Sequence, residues 1–217
     1  AYLFAVGTLP QAQGRQIASK LLGAADDVLK KQGVELALLA PAEPSLYHFY
    51  QKRGYESFFT RRELFFEPKG RAEQLDTRTL SLKPVSLSEY YPKHINLVPQ
   101  ESILWDEQTL CFAERESILY GGGLYVLMEG QNELCICNIY RYKEEEVIVK
   151  ELLLQQGVSQ QQAIEALRDL FLQCRVTIRL TGTDKENRVP SGMIRFYGSK
   201  EDMPENTQMA YLPFLLD

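Results

Sequence analysis

Thr8-Leu9-Pro10-Gln11-Ala12-Gln13-Gly14-Arg15-Gln16-Ile17-Ala18 is the stretch on which the reading of this chain turns. An apolar run, Ala1 to Val6, leads into it, and an amphipathic segment from about Arg15 to Gln32 leads out. A strand that ends in a short polar loop and opens a helix gathers free backbone N–H groups at one point. Together with the helix dipole they form a seat for phosphate. Arg15 fits that reading, because a cation in a first helical turn is mildly unfavourable unless an anion shares the site. A solvated arginine on an ordinary loop is the bland alternative.

Working outward, Ala1 to Thr8 reads as a buried strand, with Gly7 at a bulge or a close approach and Pro10 ending it. In the helix, Ile17, Leu21, Ala24, Ala25, Val28 and Leu29 fall on one face, and Gly33 closes it. Glu35 to Ala40 is a second strand, stopped by Pro41 and Pro44. Strand, helix and strand in this order imply a right-handed crossover and a parallel or splayed strand pair. A short helix from a Ser45 cap to Lys52, closed by Gly54, follows, and then strand-like runs at Glu56–Thr60 and Glu63–Glu67. Opening directly on a strand-like run without a methionine suggests that a segment precedes Ala1.

The whole chain bounds the function. Its 217 residues, 45% hydrophobic and 24% charged, are those of an ordinary globular protein with one large or two small domains. A net charge of −5 gives no support to nucleic-acid binding. No apolar run reaches the ~18 residues of a membrane span, and no signal peptide is visible. Cys111, Cys135, Cys137 and Cys174 lack metal-ligand spacing, and His48 and His94 are too few for a zinc site or a His-based triad. Cys135 and Cys137, two apart in a strand-like run, point to one face as buried free thiols, which suits a cytoplasmic protein.

Two motifs then carry a resemblance. Gln13-Gly14-Arg15-Gln16-Ile17-Ala18 resembles the acyl-CoA signature R/Q-x-x-G-x-G/A of the GNAT-superfamily N-acetyltransferases, with Gln16 where the middle glycine is usual. Phe49-Tyr50-Gln51-Lys52-Arg53-Gly54-Tyr55 resembles the family's second signature, aromatic-Tyr-x-x-x-Gly-aromatic. The resemblance implies an α/β (α+β) fold built on a mixed splayed sheet, and acetyl-CoA as cosubstrate with no metal. Pantetheine would pair with backbone near Val6 and Thr8, and the loop of Gln13, Gly14, Arg15, Gln16, Ile17 and Ala18 would hold the pyrophosphate. Tyr50 stands at the position of the family's proton donor to the departing thiolate, and Tyr47 is its reserve. The acceptor is a small-molecule or peptide amine: aminoglycosides, polyamines, amino acids and protein amines all stay open. No membrane or nucleic-acid partner is expected, and a homo-oligomer stays open. A non-catalytic acyl-CoA-binding module and a purely structural domain are the rival readings.

After Glu67 the texture becomes polar, and residues 68–79 read as a linker between a GNAT half-domain at 1–67 and a second domain at 80–217. In the second domain, Leu80–Ser86 reads as a strand and Ser102–Tyr120 as helical, with Trp105 a core or interface anchor. Strands follow at Gly123–Glu129, Glu133–Tyr142 and Glu146–Leu154, the first two joined by a Gly130-Gln131-Asn132 turn. A helix opens at Ser159 with a Ser-x-x-Gln capping box and buries Ala163, Leu167, Leu170, Phe171 and Cys174, before a strand at Val176–Leu180. Gln156-Gly157-Val158 echoes Gln13-Gly14-Arg15, so the second domain is expected to be a degenerate GNAT-like fold that does not bind CoA. The tandem resembles the enhanced-intracellular-survival-type acetyltransferases without their sterol-carrier-like domain. In larger relatives of that type a terminal carboxylate reaches the active site, which makes Asp217 a candidate base. A stapled C-terminal strand is the plainer alternative.

Overall fold

The computed structural model describes residues 1–69, 79–99, 102–180 and 188–198, together with Leu212. Most of the linker and the candidate base Asp217 lie outside the described residues. The fold is mixed α/β, and the chain divides into two compact units. Residues 1–60 with 190–198 form the first, and residues 61–189 with Leu212 the second.

In the first unit, the expected strand at Ala1–Thr8 is reduced to one parallel bridge, Tyr2 with Leu38. Leu3 N–H donates to the Leu38 carbonyl, and Leu38 N–H to the Ala1 carbonyl, both at 2.8 Å. Ala5 then adopts φ 56°, which turns the backbone out of the ladder. A 3-10 turn at Pro10–Ala12 precedes α1, which runs from Ile17 to Lys31 rather than from Arg15. Strand β1 (Leu36–Leu39), helix α2 (Pro44–Gln51) and strand β2 (Glu56–Phe66) follow, β2 as one continuous strand where two runs were expected. Strand β8 (Arg188–Phe196), not anticipated, pairs antiparallel with β1 from Leu36↔Phe196 to Leu39↔Met193.

The buried face of α1 is also not the expected one. Leu22 and Asp26 are buried, whereas Ile17, Leu21 and Val28 are exposed. The helix carries two apolar stripes, and the one containing Asp26 wins because that carboxylate is satisfied on burial. It accepts from Arg195 Nη1 and from the Tyr197 hydroxyl, and so escapes the penalty of an unpaired buried charge. Leu22, Ala37, Leu39, Tyr50, Tyr55 and Met193 make this unit's core.

In the second unit the strand order is β2-β7-β6-β5-β4-β3. These are β3 (Leu80–Pro84), β4 (Gly123–Glu129), β5 (Asn132–Lys143), β6 (Glu146–Leu154) and β7 (Arg175–Leu180). Helix α3 (Leu87–Leu97) was not foreseen, since Pro92 sits inside it. Its start is nevertheless written in Ser86-Leu87-Ser88-Glu89, a complete capping box: Glu89 N–H donates to Ser86 Oγ, and Ser86 N–H to Glu89 Oε2 at 3.0 Å. Helix α4 is shorter than the expected helical stretch, Glu107–Leu119, because Asp106 caps it by accepting from Thr109 N–H at 2.8 Å. Trp105, just before it, packs against the core beneath α3 and α4.

Helix α5 (Gln160–Leu170) is capped by Ser159, as expected. The reciprocal half of the box is absent, because the Gln162 side chain donates to Glu129 instead, at 3.1 Å. α5 connects β6 to β7, which run parallel from Glu146↔Arg175 to Val149↔Ile178. Cys135 and Cys137 point together into the core under α5, fully buried and free.

Candidate active site

The site is built where the first unit's parallel pair parts. On the side of β1 away from β8, the parallel pairing among the described residues is the single bridge Tyr2–Leu38, so beyond Leu3 the chain parts from β1. Among the described residues the N–H groups of Val6 and Thr8 make no hydrogen bond, while the Thr8 carbonyl accepts from Gln13 Nε2 at 3.5 Å. The N–H groups expected to meet an extended chain are therefore unpaired. Val6 packs against the cluster that holds Tyr50, so these two candidates share one core.

The loop that follows offers a run of donors. Gln13 N–H is used by the Pro10 carbonyl at 3.2 Å, which removes it from the expected set. From Gly14 to Ala18 the backbone N–H groups make no hydrogen bond among the described residues. Five consecutive donors thus end on the N-terminus of a 15-residue helix, whose dipole adds positive potential there. The first intrahelical acceptor is Gln16, whose carbonyl takes the Lys20 N–H at 3.1 Å.

The loop turns through two left-handed residues, Gly14 at φ 75° and Gln16 at φ 59°. A left-handed conformation is what a glycine at position 16 would supply without strain, so the departure from the motif is one of side chain and not of backbone. Gln16 is the N-cap of α1 but gives no side-chain capping bond. Arg15 lies two residues ahead of the helix and is exposed, so it is a loop cation and not part of a first turn.

Tyr50 sits in the last turn of α2, which starts at Pro44 with Glu43 as N-cap. Ser45 is not the cap: its hydroxyl donates to Glu43 Oε1 at 2.5 Å. Gly54 closes the turn at φ 80°, as the motif's glycine requires. Tyr50 is 7% exposed, between the edges of Phe49 and Tyr55 at centroid distances of 5.2 and 5.9 Å. Burial raises its phenol above the ordinary value, and the Arg53 charge partly offsets that. It is a neutral O–H donor at any physiological pH. Tyr47, one turn earlier, packs at the rim of the same cluster.

Sequence reasoning missed the side chains that brace this arrangement. Arg53 donates to the Phe49 carbonyl and to Ser19 Oγ in the first turn of α1. Beside them lies a cleft of about 420 Å³, lined among others by Ser19, Lys30, Lys52, Arg53 and Arg195. Ser19 and Arg53 carry no local signal, since their bond spans 34 residues. No group of three or more His, Cys, Asp or Glu among the described residues could hold a metal ion. No helix there is long and apolar enough to cross a membrane.

Comparison with known proteins bears on this geometry. Residues 1–58 match the family model of the acetyltransferase (GNAT) domain. No curated protein matches the chain. A GCN5-related N-acetyltransferase from Kribbella flavida is similar in structure at a TM-score of 0.57 and 15% identity, over 90% of this chain and 52% of that one. One from Anabaena variabilis gives 0.60 and 15%, over 88% and 53%. Eis1 from Mycobacterium abscessus gives 0.59 and 14%, over 88% and 54%. At such identities the likeness concerns the fold, and the chain spans about half the length of these solved chains. Residues 1–58 thus match the model of a GNAT acetyltransferase domain, and the chain shares its fold with the solved GCN5-related N-acetyltransferases.

Proposed function

We propose that this chain moves an acetyl group from acetyl-CoA to a primary amine by direct attack in a ternary complex. The observation that carries the reading is the run of five unbonded N–H groups, Gly14 to Ala18, at the start of α1. Backbone donors on a helix N-terminus suit a pyrophosphate, with Arg15 as a supporting charge. The open backbone at Val6 and Thr8 suits the amide-bearing pantetheine arm. The cleft beside this loop's helix is lined by Lys30, Lys52, Arg53 and Arg195 together with Asp26 and Asp27, so cations outnumber carboxylates where the nucleotide end would lie.

The chemistry then needs few groups. The neutral amine nitrogen attacks the thioester carbonyl carbon, a C–N bond forms and the C–S bond breaks. The leaving thiolate takes the Tyr50 phenol proton, the new ammonium loses its extra proton to water, giving an amide, and solvent returns a proton to the Tyr50 phenolate. A thiol of pKa ~8.5 leaves more readily when protonated in this way. We assign no general base. The acceptor is read as a small-molecule or peptide amine, and the location as cytoplasmic, consistent with the free buried thiols Cys135 and Cys137. The parallel β6–α5–β7 unit supports reading the second unit as GNAT-like too.

Gln16 favours one second reading, a non-catalytic acyl-CoA-binding module, because its side chain stands where the motif has none. Calorimetric titration of acetyl-CoA, followed by amine-dependent release of the CoA thiol, separates the two. The expected result is one-to-one binding with turnover, and Tyr50→Phe lowering kcat with acetyl-CoA affinity almost unchanged. Binding without turnover on any amine supports the module. No binding up to millimolar acetyl-CoA overturns both.

A further inference from the structure

Arg53 occupies the turn that directly follows α2. Its N–H donates to the Tyr50 carbonyl at 2.8 Å, so the backbone of the turn folds back onto the residue that carries the phenol. Its guanidinium has two legs. One donates to the Phe49 carbonyl, and the guanidinium carbon stands over the Phe49 ring, 3.5 Å from its centroid. The other donates to Ser19 Oγ, in the first turn of α1. Phe49 in turn meets Tyr50 edge-on, at 5.2 Å between centroids. One planar side chain therefore ties the helix end that holds Tyr50 to the helix start that follows the phosphate-type loop.

We propose that Arg53 is a positioning residue for acyl transfer: by bridging Phe49 to Ser19 it holds the Tyr50 phenol in register with the loop at Gly14–Ala18. The inference rests on the acetyl-transfer reading given above. Its physical content is distance. The loop fixes where a bound thioester presents its sulfur, and α2 fixes where the phenol proton is, so the reach from donor to leaving group depends on how these two helices are tied. Beyond the apolar core that Leu22 and Tyr50 share, the structure ties them through Arg53, a rigid fork of donors that a flexible ammonium cannot reproduce. Misplacing a catalytic group by about 1 Å can cost ~10²-fold in rate. The Arg53 charge acts in the same direction, since it opposes the weakening of the phenol by burial.

A clasp that served stability alone would have a different signature, and a double-mutant cycle tells the two apart. Turnover of the wild-type chain, Arg53→Ala, Tyr50→Phe and the double variant is followed by CoA-thiol release over a panel of primary amines. Arg53→Ala is expected to lower kcat by about 10- to 100-fold with the KM for acetyl-CoA within about twofold. In the Tyr50→Phe background the same change is expected to alter kcat by less than about twofold, because the group it positions is gone. Arg53→Lys is expected not to restore the wild-type rate. Should Arg53→Ala fail to fold, Ser19→Ala removes only the inter-helix leg and carries the same cycle. Equal losses in both backgrounds, or a rise in KM alone, overturn the proposal while leaving acetyl transfer standing. A folded wild-type chain that turns over no amine overturns the acetyl-transfer reading and this inference with it.

Discussion

The Tyr90 hydroxyl donates to Glu151 Oε2 at 2.7 Å, and both residues are wholly buried in the second unit. His94 Nδ1 lies 3.2 Å from the same oxygen. The cause is a β-bulge. Asn138 pairs with Glu151 but Ile139 pairs with Val149, which leaves Lys150 as the extra residue. Lys150 reaches Glu116 on α4 at 3.8 Å and lies 4.1 Å above the Tyr140 ring, while Glu151 reaches Tyr90 and His94 on α3. The bulge thus turns two neighbouring charged residues toward the same pair of helices.

A buried carboxylate that accepts hydrogen bonds from more than one side chain is costly to delete. Glu151→Ala strips an acceptor from Tyr90 and from His94 in a low-dielectric layer, and should destabilise by about 3 kcal/mol. Glu151→Gln keeps an acceptor for the Tyr90 hydroxyl and should cost about 1 kcal/mol. Urea unfolding at neutral pH measures both, and equal costs for the two variants would remove the Tyr90 bond from the account.

These relationships mark the limits of what the sequence could tell. Ser159, Gly54, the strands β4 to β6 and the paired burial of Cys135 and Cys137 were legible, because each depends on a local signal of period or capping. Helix α3 was hidden by Pro92, although Ser86 and Glu89 announced it. The buried face of α1 could not be chosen locally. It is decided by Arg195 and Tyr197, some 170 residues away, which make Asp26 tolerable inside. β8 on β1 is likewise a long-range pairing with no local trace. In the candidate site, the order of loop, helix and Tyr50 was readable. The use of Gln13 N–H by Pro10 and the Arg53–Ser19 tie were not.

Gln16 at φ 59° holds a conformation that costs an L-residue about 1–2 kcal/mol, and glycine adopts it freely. Part of that gain is returned as added freedom of the unfolded chain, about 0.4–1 kcal/mol. Gln16→Gly should therefore stabilise the chain slightly, by up to about 1 kcal/mol. Gln16→Val, β-branched in the same well, should destabilise it by about 1 kcal/mol. Thermal melts should separate the two variants by several degrees, in that order. The reverse order would mean that the loop is not left-handed at this residue in solution.

Gly122 tolerates no side chain. A Cβ there would stand 1.8 Å from the Ile139 carbonyl oxygen and 2.6 Å from its carbon, both backbone atoms of the neighbouring strand. Gly122 also donates to the Ser117 carbonyl at 2.8 Å, so it cannot retreat without losing the close of α4. Gly122→Ala should cost about 3 kcal/mol, at the upper end for overpacking. Gly130→Ala, with open space around it but φ 60°, should cost only about 1 kcal/mol. A urea midpoint for Gly122→Ala as high as that for Gly130→Ala would show that β4 can shift away from β5.

Tyr55 and Tyr197 give the first unit an alkaline limit. Burial, and then the Asp26 charge, pushes the Tyr55 phenol up to about 12. Tyr197 is raised as well, by burial first and then by its hydrogen bond to Asp26. An unfolded tyrosine ionises near ~10. Above that pH the unfolded chain has lost phenol protons that the folded chain still holds. The unfolded state then binds fewer protons, so stability falls as pH rises. The contribution is whole below pH ~10 and is lost on the way to about 12 for Tyr55. Melting temperatures between pH 9 and 11.5 should decline more steeply for the wild-type chain than for Tyr55→Phe. Equal slopes for the two would show that the Tyr55 phenol ionises in the folded chain as it does in the unfolded one.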